Sequence, residues 1–201
     1  MVIVPYVLAA VFGYLLGSIP VGLVVVWLAR GIDVRRVGSG RTGGTNALRA
    51  AGWGAGVATG VGDALKGLLA VLIVRMVFQT SEAAIIAGLA TMVGHNWSAY
   101  IGFKGGAGTA SNLGALLGLS PVTCVLAFLA GILASILWRI ASVASLTVSV
   151  VAVLVLVILF LIHVHPVIYL LYAFGQLVLV VVALVPNIQR LIGGTERPVT
   201  Y

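Results

Sequence analysis

Apolar positions in this chain come in long, nearly unbroken runs, not in the alternation of a half-buried strand. Val143–Ile162 and Val167–Val185 are dominated by Val, Leu and Ile. Each has the roughly 20 residues that a helix needs to cross about 30 Å of hydrocarbon. The same reading along the chain predicts about seven membrane segments, at 3–29, 53–78, 83–101, 108–119, 121–138, 141–162 and 166–186. Segment 108–119 is too short to cross alone and is expected to be a tilted or half-spanning helix in a protein-lined setting. The start of the chain has neither the basic opening nor the small-residue cleavage site of a signal peptide, so Val2–Ala29 is read as a retained span. The expected fold is an all-α integral membrane protein with a single domain over 1–201 and no internal repeat.

Composition strengthens this reading. The chain is 62% hydrophobic and 7% charged, with a mean hydropathy of +1.24, which excludes an ordinary soluble domain: 11 basic and 4 acidic side chains cannot cover a water-facing surface. The charges are also sorted. The most polar stretch, 30–52, carries Arg30, Arg35, Arg36, Arg41 and Arg49, and basic loops stay in the cytoplasm. Alternating spans from there brings Lys104, Arg139, Arg190 and Arg197 to the same side and leaves Arg75 near the other. The expected topology is N-terminus out and C-terminus in. The net charge of +7 then reflects topology and attraction to anionic lipid, with no nucleic acid partner implied. Cys124, alone in an apolar run, is read as inert packing. His95, His163 and His165 lack the thiol companions of a zinc site, so no metal is expected.

Polar residues and glycines collect in two loops on the predicted cytoplasmic side. The first reads Gly38-Ser-Gly-Arg-Thr-Gly-Gly-Thr-Asn46, followed by Arg49; the second reads Gly102-Phe-Lys-Gly-Gly-Ala-Gly-Thr109. Glycines let successive backbone N–H groups turn toward one anion, and hydroxyls and cations complete the shell. The second loop runs straight into the short helix at 108–119, whose N-terminus adds its positive dipole end. Close helix packing is the competing reason for glycine in a membrane protein, and Gly52, Gly54, Gly56, Gly60 and Gly62 are read that way. Two clusters with cations and hydroxyls at one face favour phosphate. The dinucleotide pattern that Gly38–Gly43 happens to match lacks its βαβ unit, and the loop lacks the Gly-Lys-Ser/Thr ending of a P-loop.

Several polar residues interrupt the apolar runs. Asp63 and Lys66 lie one helical turn apart and can neutralise each other, as a functional site or as a structural ion pair. His95 is open to three roles: general base, hydrogen-bond donor or structural residue. Ser142 and Ser145 share a face, where they can bond helix carbonyls or bind substrate. His163 and His165 fall at the far interface. Pro186 is expected to break or cap the last span, with Arg190 reaching headgroups and Glu196 available to pair with a loop arginine.

Taken in order, these residues resemble the bacterial membrane glycerol-3-phosphate acyltransferases that use acyl phosphate as donor. The resemblance runs through Tyr14-Leu-Leu-Gly-Ser-Ile-Pro-Val-Gly22, Asp33-Val-Arg35, the loop from Gly38 to Arg49 and Asp63-x-x-Lys-Gly67. It continues with Gly94-His95, Phe103-Lys-Gly-Gly-x-Gly108, Ser142-x-Ala-Ser145, and Asn187-Ile-x-Arg190 with Glu196. It implies an enzyme of the bacterial cytoplasmic membrane, with its active site facing the cytoplasm. The implied reaction moves a fatty acyl group from acyl phosphate to the 1-hydroxyl of glycerol 3-phosphate, giving lysophosphatidic acid and phosphate for phospholipid biosynthesis, with no cofactor.

The resemblance implies that Ser39, Gly40, Thr45, Asn46 and Arg49 form one part of the site and Lys104, Gly105, Gly106 and Gly108 the other. Ser142 and Glu196 join the substrate contacts, His95, Ser39 and Asn187 are the residues expected in catalysis, and the Asp63–Lys66 pair supports the site. Arg49 and Lys104 are expected to hold phosphates, while loop N–H groups stabilise an oxyanion. The proton of the acceptor hydroxyl goes either to His95 or to the departing phosphate. The chain departs from the family pattern at Arg41 (usually Asn), Gly44 (usually Ala), Ala107 (usually Lys) and Leu184 (usually His). The alternatives are a paralogue with another acceptor or no activity, and a carrier or binding protein for a phosphorylated metabolite.

Overall fold

The computed structural model describes residues 3–199; Val2, at the start of the predicted first span, lies outside the described residues. Within them the chain forms helices and no strands. The α-helices are α1 (Val4–Ser18), α2 (Val21–Arg30), α3 (Gly44–Ala51), α4 (Trp53–Phe78), α5 (Ser81–Asn96), α6 (Thr109–Leu119), α7 (Pro121–Trp138), α8 (Ala141–Leu161) and α9 (Ile168–Ile192), with short 3-10 turns at Val34–Arg36 and Ala99–Ile101. Five stretches are long and apolar enough to cross a membrane: Val4–Arg30, Trp53–Phe78, Pro121–Trp138, Ala141–Leu161 and Ile168–Ile192. Helix α6, at 11 residues, reaches about 16 Å and is short, as its sequence predicts. Helix α5 is shorter than the predicted segment 83–101, because Trp97 leaves the helix and the chain continues through the 3-10 turn. The outer faces of α1, α4, α7, α8 and α9 are lined with exposed Val, Leu, Ile and Phe, the surface of a protein dissolved in lipid.

The first span is not one helix. Pro20 has no N–H to continue the ladder and pushes Ile19 out of the helical region, to φ −57° and ψ 116°. The break frees the Ile19 carbonyl, and the buried Lys66 ammonium donates to it at 3.1 Å. The helix break thus becomes an acceptor for a buried charge from α4.

Small residues let the helices meet backbone to backbone. A Cβ added to Gly13 or Gly17 of α1 would lie 2.4 and 2.2 Å from the Ala87 and Thr91 carbonyls of α5, and one on Gly94 would lie 2.2 Å from the Tyr14 carbonyl. Of the glycines assigned to packing from sequence, Gly56 and Gly62 do pack, against Leu48 and Val21; Gly54 and Gly60 face open space, and Gly52 sits at φ +83° in the corner between α3 and α4. Beneath the site, Asn112 donates to Gln176 at 2.8 Å and accepts from the Tyr172 hydroxyl at 2.8 Å, while Gln176 donates to the Ser149 and Ala173 carbonyls, both at 2.9 Å. This satisfied polar network ties α6 to α8 and α9 inside an apolar core.

Pro186 corrects an expectation. It lies inside α9, which continues to Ile192. Its missing N–H leaves the Val182 carbonyl without its helical donor and loosens the ladder locally. The neighbouring Ala183 carbonyl accepts the Arg41 guanidinium, so contacts from another element hold the helix together across the proline.

At the end of the molecule away from the two glycine loops, His165 stacks on Tyr169 with ring centroids 4.1 Å apart and bonds Ser120 at 2.9 Å. Partial burial, assisted by Arg75, holds its pKa below the ordinary imidazole range. Cys124 is half-buried with its thiol on the Leu113 carbonyl.

Candidate active site

The first loop is built around Asn46. Its side-chain nitrogen donates to the Val34, Val37 and Arg41 carbonyls at 2.9, 3.0 and 2.8 Å, and its oxygen accepts from the Ser39 amide at 3.0 Å. Gly38 fits beside it only because it has no Cβ: one built there would meet the Asn46 oxygen at 2.3 Å, and its φ is +55°. Asn46 therefore shapes the loop with its whole side chain. The result is the start of α3, where Gly43, Gly44 and Thr45 face a cavity and the first amides of the helix have no intrahelical acceptor.

The second loop folds onto the C-terminal end of α5. Gly106 donates its amide to the His95 carbonyl at 3.0 Å, and Gly105 accepts from the Thr42 amide at 3.4 Å. A Cβ on Gly105 would lie 1.9 Å from the His95 carbonyl oxygen, and one on Gly106 would lie 2.1 Å from His95 Nε2. Those two glycines serve close approach, and the Gly106 amide is already used. Gly108, at φ +78°, caps α6, and Gly108, Thr109 and Ala110 line the same cavity that α3 faces. Two helix N-termini thus converge on one space.

That cavity has a volume of about 580 Å³. Its polar wall carries Ser39, Arg41, Thr45, Arg49, Asn187, Arg190, Glu196 and Arg197; its apolar wall carries Phe128, Ile132 and Ile136 of α7 with Ala144 and Val148 of α8. Of the two cations expected to converge, Arg49 lines the cavity and donates to the Pro198 carbonyl at 3.1 Å. Lys104 is exposed and is not part of the lining; neither are Gly40, Gly105 and Gly106.

Arg41 reaches inward instead. Its guanidinium donates to the Gly106 carbonyl at 3.1 Å, to Asn187 Oδ1 at 3.0 Å and to the Ala183 carbonyl, joining both loops to α9. Burial lowers its pKa, with Arg190 adding to the effect and Glu196 opposing it. From Asn187 the network continues: Nδ2 donates to Glu196 at 2.7 Å, Arg190 donates to the other Glu196 oxygen at 2.8 Å, and Ser142 donates at 3.4 Å. The C-terminal segment is thereby drawn back over the cavity, where Val199 donates to the Arg139 carbonyl at 2.6 Å and Arg197 to the Gly38 carbonyl. Sequence alone missed this closure, whose only signal was an acid in a chain nearly without them.

Behind the cavity lies a buried triad. Lys66 Nζ is 2.8 Å from Asp63 Oδ1 and 2.8 Å from His95 Nδ1. Nδ1 is also 3.3 Å from Asp63 Oδ1. Beside a charged Lys66, which has only hydrogens to offer, Nδ1 accepts and a neutral His95 carries its hydrogen on Nε2, whereas the other tautomer donates from Nδ1 to Asp63. Nε2 faces Gly106. In the tautomer with Lys66 donating, neither ring nitrogen presents a lone pair to the cavity, although His95 and Asp63 both contribute to its lining. Asp63 Oδ2 is buried without a partner among the described residues. Ser145, paired with Thr109 at 2.8 Å, also donates to the Ala141 carbonyl at 3.0 Å.

The family model described as Glycerol-3-phosphate acyltransferase matches residues 7–194. Among curated proteins, the chain is 42% identical to Glycerol-3-phosphate acyltransferase 2 of Moorella thermoacetica, over 96% of each chain. It is 37% identical to Glycerol-3-phosphate acyltransferase of Clostridioides difficile, over 99% of this chain and 98% of that one. Among solved structures it is similar to PlsY (YgiH), an integral membrane glycerol 3-phosphate acyltransferase, in its glycerol 3-phosphate form. There the TM-score is 0.87 at 36% identity, over 96% of this chain and 94% of the other. The lysophosphatidic acid form gives a TM-score of 0.84 at 34% identity. Matched in sequence over nearly its whole length and in three dimensions, the chain belongs to the glycerol-3-phosphate acyltransferase family.

Proposed function

We propose that this protein transfers a fatty acyl group from acyl phosphate to the 1-hydroxyl of glycerol 3-phosphate, releasing lysophosphatidic acid and inorganic phosphate. The observation that carries this reading is the composition of the cavity's two walls. Two helix N-termini and arginine side chains make one wall suited to phosphate, and α7 with α8 makes the other suited to a hydrocarbon chain. Both proposed substrates carry phosphate, and an acyl phosphate carries the chain as well.

In the proposed step, the acceptor hydroxyl oxygen attacks the acyl carbonyl carbon, the bond from that carbon to the phosphate oxygen breaks, and the departing phosphate takes the hydroxyl proton. His95, with Nδ1 occupied by Lys66, acts by holding the second loop through its backbone and ring, and the leaving group serves as base. Acyl phosphate is already activated, so no protein nucleophile is required. Arg49, Ser39, Thr45 and the free amides at the start of α3 and α6 orient the phosphates and stabilise developing charge. Asn46, Asn187 and Glu196 position that set. In this reading the chain has about seven transmembrane helices, with α6 the short or half-spanning one enclosed by longer neighbours, and the clustering of cations around the cavity supports a cytoplasmic site.

The test is incubation of the purified protein in detergent with palmitoyl phosphate and labelled glycerol 3-phosphate, followed by lipid extraction. Labelled lysophosphatidic acid is expected. Absence of product, with counterflow of a phosphorylated metabolite in proteoliposomes, would replace the enzyme with a carrier.

A further inference from the structure

We infer that Arg41 is a substrate-contacting cation of this site, binding a phosphate group that enters between the second loop and α9. The inference rests on the acyltransferase reading and adds a residue to it. Three observations support it.

The first is an unbalanced charge. The guanidinium is held by three neutral oxygens, those of Gly106, Ala183 and Asn187. Among the described residues no carboxylate lies within ion-pair distance of it. Arg190 is on Glu196 and Asp63 is on Lys66, whereas Arg49 and Arg197, the other lining cations, bond backbone carbonyls at the solvent-exposed rim. A partly desolvated cation without a counter-ion, lining a cavity, leaves room for an anionic ligand.

The second is unused donor capacity. A guanidinium offers a fork of N–H groups suited to bidentate contact with phosphate oxygens. Here Nε–H and the second hydrogen of Nη1 have no partner among the described residues. The three carbonyl and amide contacts fix the side chain, so little rotamer freedom is lost when a ligand binds.

The third is the surrounding wall. On the second loop and the adjoining turn of α9 the cavity is lined by Ala107, Gly108, Thr109, Leu184 and Asn187, none of them charged. Arg41 reaches across from the first loop to bond the carbonyls just before Ala107 and Leu184. It is the cation bonded to this wall: Arg190, one turn further along α9, is paired with Glu196, and Lys104 is exposed outside the lining.

The phosphate belongs either to the acyl donor or to the glycerol acceptor, and steady-state kinetics with each substrate varied in turn separates them. Arg41→Gln is expected to raise the KM of one substrate at least tenfold, with a smaller change for the other, and to weaken inhibition by inorganic phosphate by a similar factor. Arg41→Lys should recover part of the loss. The decisive variant is Arg41→Gln combined with Ala107→Lys, which returns a cation to the same wall without the Arg41 contacts; recovery of phosphate inhibition is expected. Calorimetric binding of inorganic phosphate to wild type and Arg41→Gln provides a readout independent of turnover, so a wild-type protein that binds phosphate without making product defeats the reaction and leaves the Arg41 contact standing. Unchanged phosphate affinity and both KM values within twofold of wild type in Arg41→Gln would overturn the inference. So would a loss of phosphate affinity that neither Arg41→Lys nor the double variant recovers in protein of wild-type melting temperature.

Discussion

Single side chains in this protein divide into those that touch the cavity and those that shape it. Arg49 belongs to the first group, and Arg49→Ala is expected to cost about 2–4 kcal/mol of transition-state stabilisation, a fall in kcat/KM of roughly 30- to 1000-fold at constant melting temperature. The buried Asp63–Lys66–His95 triad shapes the cavity through its internal contacts, although Asp63 and His95 also reach the lining. Removing the carboxylate strands an ammonium, so Asp63→Asn should destabilise by about 3–5 kcal/mol, while Asp63→Asn with Lys66→Met should recover much of it. Denaturation of the two variants in detergent measures the difference. The sequence marked most of these positions, because a charge or an amide inside an apolar run is costly unless it is partnered. It did not separate their roles. Asn46 looks like a ligand by residue type and in the fold bonds only its own loop and the turn before it. Lys104 looked equivalent to Arg49, yet the tight seat of Gly105 and Gly106 on His95 leaves it in solvent.

At the scale of elements, hydropathy located the helices well because lipid forces backbone groups to pair within each segment. It located breaks poorly. The interruption at Ile19–Pro20 and the passage of α9 through Pro186 look alike in sequence and differ in outcome. One freed carbonyl is claimed by Lys66; the loosened turn at the other offers its neighbour to Arg41. A proline tells where the ladder fails, and the partners across the fold decide whether the helix stops there or runs on. The turn from α8 to α9 yields a pH prediction. His165 has a folded pKa below its unfolded value, so the stability it contributes is present above about pH 6.5 and is lost as pH falls through the lower folded value. The melting temperature should therefore drop on acidification below that point, and His165→Gln should flatten the drop.

For the molecule as a whole, the sorting of charge made the sided architecture legible: the loops rich in arginine and glycine meet at one end, around one cavity. The C-terminal segment's return to that cavity was legible only in Glu196, since its other contacts run through backbone carbonyls of Gly38, Pro198 and Arg139 that carry no residue signature. Sidedness can be measured. With Cys124→Ala as background, a cysteine introduced as Lys104→Cys should react with a membrane-impermeant maleimide in inverted vesicles and stay unlabelled in right-side-out ones. The apolar wall has a different significance. Phe128, Ile132 and Ile136 are 50%, 40% and 65% exposed, so this side of the chamber is bounded by α7 only in part and by the surrounding lipid for the rest. A tail seated there has no floor to strike. Donors with longer tails should turn over about as fast as palmitoyl phosphate, and the fatty-acid pattern of the product would then be set by the supply of donors rather than by this protein.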